Sequence, residues 1–205
     1  MVKRTLDIVC AAIGLMVLGP LLLVVAALIP LDSAGPVFFR QERVGQFGRR
    51  FRIHKFRTMR HGTAAAGPSL TVGADSRVTK VGSFLRRYKI DELPQLIDVV
   101  RGDMSLVGPR PEVPEYIAYY SESERAAVLS VRPGITDLAS LEFRDESSLL
   151  AAAPDPQRFY VEEVLPVKIR YYLEYVASHS AIGDIRIILA TIYKVTVGAY
   201  HRRKN

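Results

Sequence analysis

Ile8 to Leu31 read IVCAAIGLMVLGPLLLVVAALIPL, an apolar run without a single charge. It has about the ~20 residues a helix needs to span hydrocarbon. Three readings compete: a cleaved signal peptide, a spanning helix, and a segment that enters the membrane and returns. Lys3 and Arg4 ahead of the run and the small residues Ser33-Ala34-Gly35 behind it suit a signal peptide. The next stretch, however, carries Arg40, Arg43, Arg49, Arg50, Arg52, Lys55, Arg57 and Arg60 against the single acid Glu42. Dense positive charge so close behind an apolar segment resists translocation. Lys3 and Arg4 hold the other end inside by the same rule. Gly19-Pro20 falls mid-run, where proline removes a helix hydrogen bond and crowds the preceding turn, so a kink is expected there. A bent helix with both ends on the cytosolic side satisfies every charge; a single span is its rival.

The rest of the 205-residue chain is long enough for one domain with a core. With 49% hydrophobic and 24% charged residues it is neither disordered nor polytopic. A net charge of +7 favours anionic partners: nucleic acid, an anionic lipid surface or phosphorylated substrates. Cys10 is the sole cysteine, which excludes an internal disulfide and a cysteine-rich metal site.

Val37 to Val44 reads as a strand, Gly45-Gln46-Phe47-Gly48 as its turn, and Phe51 to His54 as the return, a small β-hairpin with Arg and Lys on its outward face. His61 to Asp75, rich in Gly, Ala, Ser and Thr, suggests a mobile loop. A helix is expected from near Thr79 through Tyr88. A second should start at Asp91-Glu92-Leu93-Pro94, with Asp91 as N-cap, Leu93, Leu96, Ile97 and Val100 as its buried stripe, and Gly102 at its end. Tyr116 to Val131 looks helical up to Arg132-Pro133-Gly134. Ile182, Ile185, Leu189 and Ile192 stand at helical spacing before a basic end, His201 to Lys204. That helix either lies on an anionic membrane or packs on the core.

Asp91 and Glu92 follow Arg86, Arg87 and Lys89 at a helix start, a position that suits phosphate and keeps a carboxylate ionised. Mg²⁺ takes one or two carboxylates plus substrate phosphates, and this pair could supply them. On local grounds alone, an acidic first turn is ordinary helix capping. Arg110 stands between Pro109 and Pro111, a stiff setting for bidentate recognition of phosphate or for contact with a base, and equally a surface turn. His54 and His61 have no partners at metal-ligand spacing and read as structural or surface residues. Neither a P-loop, a dinucleotide fingerprint nor a Gly-x-Ser-x-Gly elbow is present in the sequence.

In order along the chain, Lys55-Phe56-Arg57-Thr58-Met59, Asp75-Ser76-Arg77-Val78-Thr79-Lys80-Val81-Gly82, Leu85-Arg86-Arg87, Asp91-Glu92-Leu93-Pro94-Gln95-Leu96, Gly102 to Pro111, and Arg132-Pro133-Gly134-Ile135-Thr136 resemble the monotopic phosphoglycosyl transferases, the bacterial sugar transferase family. The likeness runs over nearly the whole chain and is nearest to the minimal, bacillosaminyl-phosphotransferase-like members. It implies an α+β, mostly helical fold: a re-entrant membrane helix over 1–32, then a cytosolic catalytic domain over 33–205 with a small β-hairpin, interfacial amphipathic helices and an amphipathic tail. It implies that Asp91 attacks the β-phosphorus of a UDP-sugar and releases UMP. Polyprenyl phosphate then takes the phosphosugar from the covalent intermediate. Glu92 is the dyad's second acid, and Mg²⁺ on Asp91 and Glu92 neutralises the diphosphate. Lys55, Arg57, Arg77, Arg86, Pro109, Arg110 and Pro111 are expected at the substrate, and Gly19-Pro20 at the bend. The expected location is the cytoplasmic face of the bacterial inner membrane, in contact with the bilayer; a homo-oligomer stays open. Asp98 stands where asparagine is expected, and Asp137 where glycine is common. The alternative is a membrane-tethered nucleic-acid binder, resting on charge alone. Aromatic residues interleaved for base stacking are missing from it, so nucleic acid is not expected as a partner.

Overall fold

The computed structural model describes residues 2–62, 70, 72, 73, 75–143 and 146–201, with residues 197–201 described as helix only. The loop expected over 61–75 and the basic end of the tail therefore lie largely outside the described residues. Helix α1, Val2–Asp32, runs uninterrupted through Pro20 and Pro30 and, at about 1.5 Å per residue, is about 46 Å long. Asp7, Ala11, Val25 and Ile29 are buried, with Gly14, Leu15, Leu18, Leu22 and Ala26 half-buried between them. These positions recur at helical spacing and form one stripe against the rest of the protein. Leu6, Val9, Ile13, Met16, Val17, Leu23, Val24 and Leu31 are exposed on the other faces.

Both ends of α1 are fastened to the same body. At the start, Lys3 pairs with Asp184 at 2.6 Å, Arg4 donates to the Val99 carbonyl at 2.8 Å, and Asp7 accepts from Ser105 Oγ at 2.8 Å. At the end, Asp32 accepts from the Val81 N–H at 2.9 Å, and Arg57 donates to the Ser33 and Ala34 carbonyls at 2.5 and 2.8 Å.

The expected hairpin forms as two short antiparallel pairs. β1 (Phe38–Phe39) pairs with β4 (Lys55–Phe56), and β2 (Glu42–Val44) with β3 (Arg50–Arg52). The register is common to both, and Ile53 N–H bonds the Gln41 carbonyl between them, so this is one hairpin with an interruption. Its turn places Phe47 and Gly48 at positive φ, 57° and 77°. Helix α2, Lys80–Arg87, starts as expected, with the Thr79 hydroxyl accepting from Gly82 N–H at 2.9 Å. Gly82 is needed there, because a Cβ would stand 2.1 Å from the Thr58 carbonyl oxygen.

The second helix departs from expectation. Lys89 is left-handed (φ 56°), Ile90–Gln95 is a 3-10 turn, and α3 covers only Leu96–Arg101, closed by Gly102 at φ 96°. Asp91 thus sits inside the 3-10 turn and does not cap a helix. Leu96 and Val99 are buried, whereas Val100 faces out, since the 3-10 start rotates the stripe. The parallel pair β5 (Ser105–Val107) and β6 (Gly134–Thr136) follows. Between these strands the expected long helix is broken into α4 (Pro114–Ile117) and α5 (Glu122–Val128), because Ser121 and Glu124 form a capping box that starts a new helix. Then come α6 (Leu138–Glu142), α7 (Glu146–Ala151), α8 (Pro156–Phe159), a π turn (Tyr160–Val164), α9 (Leu165–Ser178) and α10 (Ala181–His201).

The largest apolar cluster joins Tyr116, Ile117, Tyr120, Leu150, Tyr160, Leu165, Ile169 and Tyr172. A second cluster sets Ala11 of α1 against Phe51, Ile53, Leu96, Val99 and Met104, and a third sets Val25 and Ile29 against Phe56 and Leu85. The membrane-like helix is therefore bound on both sides of the acidic turn. Among the described residues of α10, Ile187 is the only buried apolar one; Ile182, Ile185, Leu189 and Ile192 are exposed.

Candidate active site

The 3-10 turn presents Asp91 and Glu92 at the wall of a cleft of about 720 Å³. Lys55, on the inner edge of the hairpin, reaches both: its ammonium lies 3.0 Å from Asp91 Oδ2 and 3.1 Å from Glu92 Oε1. Glu92 is further bound by Arg110, whose two terminal nitrogens donate to Oε1 at 2.5 Å and Oε2 at 3.3 Å. Burial would raise the Glu92 carboxyl, but the charges of Arg110, Lys55 and Lys89 outweigh it and hold the group well below the usual carboxylate range. Arg110 is held well above its ordinary value, first by Glu92.

Asp91 is treated differently. It is 2% exposed, its Oδ2 is engaged by Lys55, and its Oδ1 is buried without a hydrogen-bond partner among the described residues. A carboxylate with one oxygen clamped and the other unspent is arranged to bond something that arrives. Arg43, Arg86, Arg87 and Lys89 add positive charge along the same cleft. Burial lowers the Arg86 guanidinium, whose Nε donates to Thr58 Oγ1 at 2.8 Å.

The proline-flanked arginine is fixed from both sides. Gly134 N–H donates to the Pro109 carbonyl at 2.9 Å, and Arg43 donates to that of Pro111 at 2.9 Å. The close crossing beneath needs glycine, since a Cβ on Gly134 would stand 2.1 Å from Gly108 N. The motifs 91–92, 109–111 and 132–136 are thus one construction. Residues 1–198 match the family described as Bacterial sugar transferase.

The chain belongs to the bacterial sugar transferase family.

Among named members, a UDP-glucose:undecaprenyl-phosphate glucose-1-phosphate transferase of Caulobacter vibrioides is 40% identical over 193 residues, 93% of this chain and 68% of that one. An Aeromonas hydrophila UDP-N-acetylgalactosamine-undecaprenyl-phosphate N-acetylgalactosaminephosphotransferase is 37% identical over 96% of this chain and 44% of its own length. A Rhizobium leguminosarum exopolysaccharide production protein is 38% identical over 93% of this chain and 92% of its own. The chain thus spans less than half of the Aeromonas relative and most of the Rhizobium one.

Of the residues singled out in this bacterial sugar transferase sequence, Lys55, Arg86, Asp91, Glu92 and Arg110 line the cleft together. Arg57 does not; it is buried beneath the end of α1 and bonds the Ser33, Ala34 and Gly35 carbonyls. Arg77 is turned to Asp75, which it grips at 2.6 to 3.0 Å, and Pro109 lines a small neighbouring cavity rather than the cleft. Pro111 acts through its carbonyl. Gly19 and Pro20 lie inside α1, with nothing within 4 Å of a Cβ on Gly19.

Sequence reasoning missed the pair beside Lys55. His54 is buried; its backbone N–H donates to Asp98 Oδ2 at 2.8 Å and its Nδ1 meets Asp98 Oδ1 at 2.5 Å. Arg40 donates to Nε2 at 2.7 Å, so Nδ1 carries the proton and donates to Asp98. Asp98 thereby pins the backbone next to Lys55. Its departure from the expected asparagine was the available signal.

Among the described residues no three His, Cys, Asp or Glu side chains form a metal cage. The unspent Asp91 Oδ1 nevertheless fits one ligand of a Mg²⁺ ion that draws its remaining ligands from phosphates and water. Glu92 fits less well, because both its oxygens already accept from Arg110.

Proposed function

We propose that this protein transfers a sugar-1-phosphate from a UDP-sugar to polyprenyl phosphate through a phosphosugar held on Asp91. The observation that carries the reading is Asp91 itself, with Oδ2 held by Lys55 and Oδ1 unspent, at a cleft lined by cations. The Asp91 carboxylate attacks the β-phosphorus; the bond to the α-phosphate oxygen breaks, and UMP leaves. A phosphate oxygen of the lipid then attacks the same phosphorus, releasing the Asp91 carboxylate and a polyprenyl diphosphate sugar. Lys55 orients the nucleophile, and Arg86, Arg87 and Lys89 meet the charge of the diphosphate. Glu92, locked to Arg110, aims that guanidinium along the cleft toward the nucleotide.

We assign Mg²⁺ to the Asp91 side of this site, where it would neutralise the diphosphate. The membrane arrangement belongs to the same proposal: α1 enters the bilayer from the cytoplasmic face and returns, giving the site access to a lipid acceptor. Its support is that both ends of the helix are tied to one body while an apolar surface faces away from it. The relatives' names carry glucose and N-acetylgalactosamine; a donor of the bacillosamine type belongs in the same panel.

The test uses purified protein, Mg²⁺ and a UDP-sugar without acceptor. A burst of UMP no larger than one per enzyme, abolished by Asp91→Asn and by EDTA, is the expected result. Full turnover by Asp91→Asn would overturn the mechanism.

A further inference from the structure

The cleft is also lined by a second group of polar residues besides the acidic pair and its cations, and its chemistry differs. Lys168 is 5% exposed, forms an ion pair with Glu146, and donates to Tyr160 OH at 3.3 Å. Tyr160 OH donates in turn to Glu112 Oε1 at 3.1 Å, and the Lys168 ammonium stands 4.8 Å from the centre of the Tyr160 ring. Lys168, Glu146, Tyr160 and Glu112 all line the cleft, together with Ser140 and Phe143.

A buried ion pair stabilises a fold less than well-packed apolar groups of the same volume would. Its place in a cleft wall, with Glu146 still partly open to solvent, gives it contact with whatever enters. The positive end at Lys55, Arg86, Arg87 and Lys89 is suited to phosphates. Among these groups the Lys168 charge is cancelled by Glu146, and the charge of Arg43, which lines the same cleft, is opposed by Glu112. An ammonium, a carboxylate and a phenol held side by side offer adjacent donors and acceptors, as vicinal hydroxyls require. The Phe143 ring beside them supplies a surface for the C–H face of a pyranose. A cleft of about 720 Å³ has room for a ligand that reaches both groups.

We propose that Lys168, Glu146 and Tyr160 contact the hydroxyls of the donor's hexose and set which sugar is accepted. This rests on the cleft being the UDP-sugar site. A site built to hydrogen-bond a hydroxyl discriminates strongly against a sugar that lacks or misplaces it.

The test compares Lys168→Met, Lys168→Arg, Glu146→Gln and Tyr160→Phe with the wild-type full chain. The readouts are phosphosugar adduct formation from UDP-glucose, UDP-galactose and their N-acetylated counterparts, and inhibition by UMP, which lacks the sugar. We expect the kcat/KM ratio between the preferred donor and its C4 epimer to fall by about tenfold in Lys168→Met and Glu146→Gln. Lys168→Arg should recover part of the ratio, and the UMP inhibition constant should move less than about twofold. Tyr160→Phe removes one hydroxyl while keeping the ring and keeps the proposal testable should the charge variants misfold; it should lower the same ratio. An equal loss on every donor, or weakened UMP binding with an unchanged sugar ratio, overturns the proposal while leaving the transferase reading intact. A wild-type protein that consumes none of these donors overturns that reading and this assignment together.

Discussion

Glu92 and Asp91 are neighbours in sequence with opposite electrostatic fates. Glu92 is saturated by Arg110 and Lys55, so its folded-state pKa lies below the unfolded value. The stability it contributes is therefore complete above the ordinary carboxylate range and drains away as pH falls below about 4.3 toward the folded value. Glu92→Gln should flatten the acid limb of a melting-temperature profile between pH 3 and 6; an unchanged limb would show that the pair with Arg110 contributes nothing. At the Asp98–His54 contact, Asp98→Ala leaves a buried N–H and ring donor without acceptors, at a cost of about 2 kcal/mol in thermal unfolding. Asp98→Asn keeps an oxygen for the backbone donor and should cost about half as much. The residues at 91, 92 and 110, and the separate roles of Asp91 and Glu92, were legible only through the ordered motifs of the family resemblance. Local sequence offers Asp91 as a helix cap, and the 3-10 turn that follows left-handed Lys89 removes that role. Arg57 reads as substrate-facing for the same reason: charge is visible in a sequence, but the direction of a side chain is not.

At the scale of elements, the hairpin, α2 and the glycine stop at Gly102 follow directly from alternation, capping and left-handed backbone preference. The starts that failed had competing local solutions. A capping box at Ser121 divides what apolar spacing alone joins into one helix, and left-handed Lys89 converts an expected N-cap into a 3-10 turn. Asp137 shows an element terminus at odds with its surroundings. Its Oδ1 accepts from Ser140 N–H at 2.9 Å, capping α6, yet burial raises its carboxyl above the ordinary range. A raised folded-state value means that the charged form costs stability as pH climbs through that range. Asp137→Asn should keep the cap and stabilise the protein more at pH 8 than at pH 5. Asp137→Ala should lose the cap, about 1 kcal/mol. Chemical denaturation at the two pH values separates these outcomes, and equal shifts at both would dismiss the buried-charge account.

For the whole molecule, α1 is the back of the catalytic body as much as a membrane segment: its stripe completes two of the four apolar clusters. The choice between a span and a return was open in the sequence because positive charge at both ends constrains sides, not shape. In the structure both ends of α1 are tied to the same body, by Lys3–Asp184 and by Arg57–Ser33. A cysteine introduced at Val2, in a Cys10→Ser background, should therefore react with an impermeant maleimide only after the cytoplasmic side is opened; labelling of intact spheroplasts would require a spanning α1. On α10, Ile182, Ile185, Leu189 and Ile192 form a second exposed apolar stripe. In the proposed function Asp91 carries the sugar phosphate between donor and lipid. Mass spectrometry of peptides from protein quenched with a UDP-sugar tests it most directly. The account predicts a hexose-phosphate mass on the peptide containing Asp91, lost on adding undecaprenyl phosphate and absent from Asp91→Asn. Product formation with no adduct at any time point, or an adduct on another residue, would contradict it.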